Sequence, residues 1–224
     1  MERKIVKTAD GSTTIFLPEW DEHYHSKHGA LQEAYHVFIK MGLEEVKGLK
    51  SAVGIHIMEI GFGTGLNAFI TLLEAEKAGV EINYTGIEAY PVSREEVEAL
   101  NYASSFNETE AAKYFQDLHN SPWEENTAIT TYFKLEKKKQ FFEEIEVEDA
   151  FDLIYFDAFG ARVQPDLWTE EIFRRMFIAL KTGGVLVTYS AKGSVRRALQ
   201  AVGFQVERLP GPPGKREMLR ARKQ

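Results

Sequence analysis

The stretch Ile55-His56-Ile57-Met58-Glu59-Ile60-Gly61-Phe62-Gly63-Thr64-Gly65-Leu66 decides the fold. Its first half is an apolar run of strand length. Leu66 to Ala78 follows at helical spacing, so three glycines sit where a buried strand turns into a helix. An α/β sheet presents ligands at this place, outside the carboxyl ends of its strands. Glycine tolerates left-handed backbone angles and has no Cβ to hold a ligand off the main chain. A dinucleotide fingerprint requires a third glycine at Leu66, counted from Gly61, or at Ala68, counted from Gly63, and neither is glycine.

Outward from this stretch, strands and helices alternate. Ile82 to Ile87 reads as the next strand, and Pro91 opens a helix over Val92 to Ser104. Ala128 to Phe133, Phe151 to Phe156 and Val185 to Tyr189 supply further strands, with helices near 137–145 and 169–181. Such alternation predicts a parallel sheet covered by helices on both faces. Phe204 to Leu209 and Glu217 to Ala221 are joined by Pro210-Gly211-Pro212-Pro213-Gly214, too short for a crossover helix, so this last pair is antiparallel. By analogy of fold, the expectation is an α/β, Rossmann-like seven-stranded sheet of the class I methyltransferase kind, mostly parallel with a C-terminal antiparallel hairpin. At the amino end, Ile5-Val6 and Thr13 to Phe16 flank Asp10-Gly11 as a small ribbon, and an amphipathic helix is expected over about 29–47. Residues 1–224 are read as one domain, with 1–48 as an extension packed on it.

Bulk properties narrow the function. The chain has no cysteine, which excludes disulfides and thiolate metal sites and suits a reducing compartment. The start of the sequence has no signal-peptide pattern and no 18 apolar residues run together, so a cytoplasmic protein without membrane association is expected. The net charge of −7 argues against a polyanionic partner until its distribution is considered. Residues 181–224 carry ten Lys and Arg against Glu207 and Glu217, leaving 17 basic and 32 acidic residues in the first 180. That asymmetry marks the carboxyl end as a candidate nucleic-acid surface, with a solvated basic tail as the plainer alternative.

The residues around the glycines select a cofactor. A carboxylate at Glu59 would repel a pyrophosphate but suits a ligand with a cationic amino group, as in S-adenosylmethionine. Glu88, ending the second strand, is placed to accept from both ribose hydroxyls. The expected cofactor site is therefore Glu59, Gly61, Phe62, Gly63, Thr64, Gly65, Asn67 and Glu88. Glu136 is the candidate for the adenine amine, with a helix start as its alternative.

Asp152-Leu153-Ile154-Tyr155-Phe156-Asp157-Ala158-Phe159-Gly160 followed by Pro165-Asp166-Leu167-Trp168 resembles the methyltransferase part of the MnmC family of tRNA wobble-uridine modification enzymes. Tyr24-His25-Ser26, His36-Val37-Phe38, Ser194 to Leu199 and Lys215-Arg216-Glu217-Met218 carry the same resemblance, which spans nearly the whole chain. It departs at Asp157-Ala158-Phe159-Gly160-Ala161, where the family has Asp-Gly-Phe-Ala-Pro. The sequence ends at Gln224, so the expectation is a stand-alone methyltransferase domain without the flavin oxidoreductase part. The resemblance implies N-methylation of 5-aminomethyl-(2-thio)uridine in tRNA.

Within that reading, Asp157 at the end of the fourth strand grips the amine and relays its proton to water, with a capping carboxylate in the loop as the alternative. It also borders the cofactor, and Tyr24 and Ser26 close over it. Phe159, Trp168 and Tyr189 stack on the uridine or line the amine pocket, each with ordinary core packing as the alternative. Arg196, Arg197, Lys215, Arg216 and Arg220 meet tRNA phosphates. His25 is more simply structural than a general base, and no histidine set has the further ligands a metal would need. A monomer is expected. Competing readings are a small-molecule amine methyl- or aminopropyltransferase on the same fold, and a non-catalytic RNA-binding protein that retains it.

Overall fold

The computed structural model describes residues 2–47, 54–107 and 109–224. Its centre is an eight-stranded sheet. In chain order its strands are β4 (Ile55–Ile60), β5 (Ile82–Ile87), β6 (Asn126–Ala128), β7 (Phe133–Lys138), β8 (Phe151–Phe156), β9 (Leu180–Thr188), β10 (Gln205–Pro210) and β11 (Glu217–Arg222). Across the sheet they lie in the order β10-β11-β9-β8-β4-β5-β7-β6. The five inner strands from β9 to β7 are parallel, β11 is antiparallel to both β9 and β10, and β6 is antiparallel to β7. Seven strands are present as expected in number, with the three-residue β6 added at one edge.

The chain winds outward from β4 through β5 to β7, then returns to β8 on the other side of β4. This reversal opens a crevice at the carboxyl ends of β4 and β8, where doubly wound sheets bind ligands. Both strands are almost wholly buried, and β8 shows no exposed face at all. Helices on both faces account for that, as in any parallel sheet. α3 (Leu66–Ala78) starts after Gly65 and stops at Gly79, both in left-handed conformation. Nine of its residues are buried, so it is a core helix more than an amphipathic one.

The amino-terminal elements cap this crevice. β1 (Lys4–Lys7), β2 (Thr13–Leu17) and β3 (Glu22–His23) make a three-stranded antiparallel sheet, one strand more than the ribbon expected. α1 (Ala30–Ala34) continues as a π-helical run, Tyr35–Leu43, into α2 (Glu44–Lys47), close to the helix expected over 29–47. At Gly42 a Cβ would stand 3.0 Å from Val187 and 3.3 Å from the Tyr155 ring, so glycine lets this helix lie directly on the sheet. The expected boundary of the extension at residue 48 lies outside the described residues.

Three expectations are corrected. The strand placed at Ala128 to Phe133 is a turn between β6 and β7, and no helix forms near 137–145. β7 runs on to Lys138 there, and only a 3-10 turn, Phe142–Glu144, follows. Along β7 the buried positions are Phe133, Leu135 and Lys137. The buried lysine breaks the apolar alternation that would announce a strand. The helix expected over Val92 to Ser104 shortens to α4 (Arg94–Glu98), held by a Ser93–Glu96 capping box, and a 3-10 turn, Tyr102–Ser105. α5 (Ala111–Asn120), α6 (Glu170–Ala179) and α7 (Gly193–Ala201) complete the layers. No helix among the described residues is long and apolar enough to cross a membrane.

Candidate active site

The crevice holds a cavity of about 1060 Å³, reaching from Glu88, Tyr90 and Phe141 at one end to Glu33, Asp157, Tyr189 and Lys215 at the other. The glycine loop forms its wall. Gly61, Gly63 and Gly65 have φ of 88°, 50° and 72°. A Cβ on Gly61 would stand 2.8 Å from the Asp157 carbonyl oxygen, and one on Gly63 would stand 3.1 Å from the Tyr24 ring. The loop is pinned to the next strand: Gly61 and Phe62 N–H both donate to the Ile87 carbonyl. Glu88 Oε2 accepts from Gly63 N–H at 3.0 Å and Oε1 from Tyr90 N–H at 2.9 Å, so its carboxylate faces the cavity in a fixed position.

At the centre, one side chain joins two acids. Asn67 Nδ2, in the first turn of α3, donates to Glu59 Oε1 and to Asp157 Oδ2, each at 2.8 Å. Glu59 also accepts from Tyr84 OH at 2.9 Å and is 1% exposed. Burial raises its carboxyl well above the ordinary range, against the hydrogen bond from Asn67. Glu59 therefore lies beneath the cavity lining, with Asn67 between it and the open space. The Asn67 amide uses one Nδ2 for both carboxylates, which leaves its oxygen turned elsewhere. Asn67 Oδ1 is buried with no hydrogen-bond partner. A buried orphan acceptor costs about 1–3 kcal/mol, and Asn67 lines the cavity, so a donor carried by a ligand would satisfy it.

Asp157 leaves the carboxyl end of β8 with its N–H bonded to the Ile60 carbonyl. Burial raises its carboxyl well above the ordinary range, and the charge of Glu33 adds to that, while Asn67 and Lys215 oppose it. Glu33 is the acid that sequence reasoning missed. It sits on α1 at 7% exposure, accepting from Ser26 N–H at 3.0 Å and from Lys215 Nζ at 2.6 Å. Only the position of Glu33 on the apolar face of its helix, between Ala30 and Ala34, could have flagged it.

The aromatic residues divide. Tyr24 and Phe159 meet edge to face at 4.9 Å, Trp20 meets Phe159 edge to face at 5.6 Å, and all three line the cavity. Burial pushes the Tyr24 hydroxyl up to about 12. Tyr189 lines the cavity and donates to the Ala158 carbonyl at 2.8 Å. Trp168 does not face the cavity. It is buried against Phe156 and Phe173, with Nε1 donating to the Phe159 carbonyl at 2.8 Å, so it braces the loop. Thr64 is absent from the cavity lining, and its hydroxyl is buried beside Tyr102 OH and His25 Nε2. Gly65 backs onto His119 instead of the cavity. His25 also contacts Thr14 Oγ1 and lines the cavity, and burial lowers it to about 4, so its imidazole is neutral.

Glu136 pairs with Lys138 away from the cavity. With β7 ending at Lys138, the residues that reach the cavity from this strand are Phe141, Phe142 and Glu143. The basic carboxyl end is less available than its charge suggests. Lys181 pairs with Asp152, Arg208 with Glu217, Lys215 with Glu33, Lys223 with Asp149, and Arg220 and Arg222 share Glu45. Arg220 also meets Glu207. Among the described residues Lys192, Arg196, Arg197 and Arg216 have no ion pair, and of the basic carboxyl-terminal residues only Lys215 reaches the cavity. No group of three His, Asp or Glu side chains among the described residues could hold a metal ion.

A doubly wound sheet with a C-terminal antiparallel hairpin and a glycine-walled crevice defines a class, and sequence comparison gives the same one. The chain belongs to the S-adenosyl-L-methionine-dependent methyltransferase family, whose model matches residues 107–224. Its cofactor is S-adenosylmethionine. It is similar to the tRNA 5-methylaminomethyl-2-thiouridine biosynthesis bifunctional protein MnmC of Cupriavidus metallidurans, at 30% identity over 93% of this chain and 32% of the relative. The chain thus spans about a third of the length of that relative. A crystal structure of MnmC2 from Aquifex aeolicus shares the fold, with a TM-score of 0.81 at 23% identity over 100% of this chain and 70% of that one. Spermidine synthase from Thermotoga maritima shares it more distantly, with a TM-score of 0.58 at 15% identity over 98% and 67% of the two chains.

Proposed function

We propose that this chain methylates the primary amine of 5-aminomethyl-(2-thio)uridine at the tRNA wobble position, giving the 5-methylaminomethyl nucleoside. The observation that carries this reading is the acidic floor of the cavity, where Asp157, in reach of Glu33 and bridged to Asn67, lies at the end of β8. The similarity to MnmC proteins supports the tRNA part of it. Gly61, Phe62, Gly63, Asn67 and Glu88 hold S-adenosylmethionine, with Tyr24 and Ser26 over it and the orphan Asn67 Oδ1 accepting from its amino group. When bound, the cofactor supplies an electrophilic methyl group.

The residues of the chain then do three things. Asp157 and the aromatic wall of Tyr24, Phe159 and Tyr189 orient the amine, and held geometry supplies much of the acceleration. The aromatic wall excludes water. Asp157 Oδ1, left free by the Asn67 bond to Oδ2, takes the proton that the nitrogen must shed. An alkylammonium is a poor proton donor to an ordinary carboxylate. A carboxyl raised by burial is better matched to it. Phosphates of the tRNA meet Arg196, Arg197 and Arg216 outside the cavity. Residues 1–224 act as one methyltransferase domain in the cytoplasm, with the amino-terminal elements closing the site.

A small-molecule amine transferase is favoured by one observation: Asp21, Glu22, Glu33, Glu88, Glu143 and Asp157 all line the cavity. Two of them are already engaged, Glu22 with Arg162 and Glu88 with the backbone. The two readings separate when the chain is incubated with methyl-labelled cofactor and either bulk tRNA lacking the methylaminomethyl group or a diamine such as putrescine. Label in the wobble nucleoside alone supports the tRNA reading, and label in the diamine alone overturns it.

A further inference from the structure

The floor of the cavity holds a cation of the chain's own. Lys215 leaves the turn between β10 and β11. Its Nζ donates to Glu33 Oε2 at 2.6 Å and lies 3.9 Å from the centroid of the Tyr189 ring. A carboxylate and an aromatic face around one ammonium form a cation cage. Its walls are fixed by the main chain: Tyr189 OH donates to the Ala158 carbonyl, and Glu33 Oε1 accepts from Ser26 N–H. Asp157 senses both the wall and the occupant, since the charge of Glu33 raises its carboxyl and that of Lys215 lowers it.

Lys215 is the movable member. Its side chain is 34% exposed where that of Glu33 is 10% exposed, so one side of the lysine is open to solvent. Its backbone is anchored, with its N–H donating to the Pro212 carbonyl at 2.9 Å and Gly211 N–H donating to the Arg216 carbonyl at 3.1 Å. Gly214, at φ +84°, lies so close to His28 that a Cβ would stand 2.5 Å from its ring. Exchange therefore proceeds by rotation of the four-carbon stem, which is fast for an exposed lysine.

We propose that Lys215 is a placeholder in the ammonium subsite: the substrate's primary ammonium displaces it, taking up Glu33 and the Tyr189 face beside Asp157, while Lys215 turns outward toward RNA phosphate. This rests on the reading that the substrate is an amine on RNA. One ammonium replaces another, so the exchange conserves charge and moves no proton. The placeholder has a physical reason, because an empty cage would leave the mostly buried Glu33 unpaired near Asp157. It also rejects neutral analogues: a methyl or hydroxymethyl substituent cannot replace a cation. Glu33 becomes a substrate-binding residue.

The test uses the full chain loaded with S-adenosylhomocysteine and titrated with methylammonium chloride at constant ionic strength, with the Tyr189 ring resonances as the reporter. If Lys215 blocks the cage about nine-tenths of the time, Lys215→Met tightens methylammonium binding about tenfold. Lys215→Arg stays as weak as wild type, and adding Glu33→Gln to Lys215→Met removes the gain. Unchanged S-adenosylhomocysteine affinity shows that each variant is folded. Methylammonium binding that is unaltered or weakened in Lys215→Met overturns the placeholder, even if the wild-type chain methylates aminomethyluridine in tRNA. A tenfold gain together with no methylation of that tRNA leaves the cage standing and overturns the substrate reading instead.

Discussion

Gly86 lies inside β5, where sequence gives it no role, yet the structure makes it a support of the cofactor loop. A Cβ at this position would stand 2.3 Å from Phe62 Cδ2 and 3.0 Å from Cγ. Phe62 is 3% exposed, edge to face with His119 and Trp123 at 6.2 Å each, and has little room to retreat. Gly86→Ala therefore forces the ring, and with it the loop between Gly61 and Gly63, to shift. Overpacking of this kind costs about 1–3 kcal/mol. Gly86 has no left-handed φ, so alanine also recovers about 0.4–1 kcal/mol by restricting the unfolded chain. The net expectation is a loss of about 1–2 kcal/mol, a fall in Tm of about 2–8 °C for a chain of this size. Affinity for S-adenosylhomocysteine falls about tenfold or more, because ring and loop move together. Gly160→Ala is the control: its nearest atom would be Tyr189 OH at 3.6 Å, and it leaves Tm unchanged or slightly higher. Thermal melts and calorimetric titration of both variants check this. Wild-type Tm and wild-type affinity in Gly86→Ala would refute the reasoning.

Three further outcomes follow from the site. Asp157→Asn keeps the bridge to Asn67 but cannot accept a proton, so turnover falls about 100-fold or more while cofactor affinity is retained; near wild-type turnover removes Asp157 from the mechanism. Burial lowers His25 to about 4 from 6.5, so its neutral form contributes stability that is complete above about pH 6.5 and lost as pH falls through about 4, on the order of 3 kcal/mol. The raised Glu59 and Asp157 carboxyls act in the opposite direction, so the comparison is of urea midpoints between pH 7.5 and 4 for wild type and His25→Gln; an identical decline in both contradicts the assignment. For RNA, Arg216→Ala lowers the salt slope of tRNA binding by about 1, whereas Arg220→Ala, already paired with Glu45 and Glu207, lowers stability and leaves the slope unchanged.

The sequence announces the sheet where a strand is mainly apolar or uncharged and conceals it where charged residues dominate the strand. β4 and β8 are mainly apolar, β5 carries no charge, and the limits of all three coincide with the readings from sequence. β7 was hidden because Lys137, 1% exposed, donates from Nζ to the carbonyls of Leu118 and His119 at the end of α5 and lies over Trp123. Burial lowers it to about 8. A lysine used as a helix cap reads as a surface residue, and the charged run after Phe133 then looks helical. α5 could have been read, since Ala111, Phe115 and Leu118 recur at helical spacing.

The same physics applies to the site. Glycines and strand ends are visible in one dimension, so Gly61, Gly63, Glu88 and Asp157 could be placed at the cavity beforehand. Which carboxylate reaches the ligand depends on what lies between. Asn67 intercepts Glu59, and Glu33 arrives from α1, 124 residues from Asp157 in sequence. Charge counting overstated the basic end for a similar reason, because Glu33, Glu45, Asp149 and Asp152, far away in the chain, fold onto its cations.

The central claim is that the methyl acceptor is an amine on RNA. It is tested most directly with two preparations of one tRNA, identical except that the wobble uridine carries a 5-aminomethyl group in one and a 5-hydroxymethyl group in the other. Each is incubated with the chain and S-adenosylmethionine and digested to nucleosides for mass spectrometry. The account predicts a single added methyl on the aminomethyl nucleoside and none on the hydroxymethyl one. Equal methylation of both, or methylation of neither by a chain that binds the cofactor, would contradict it.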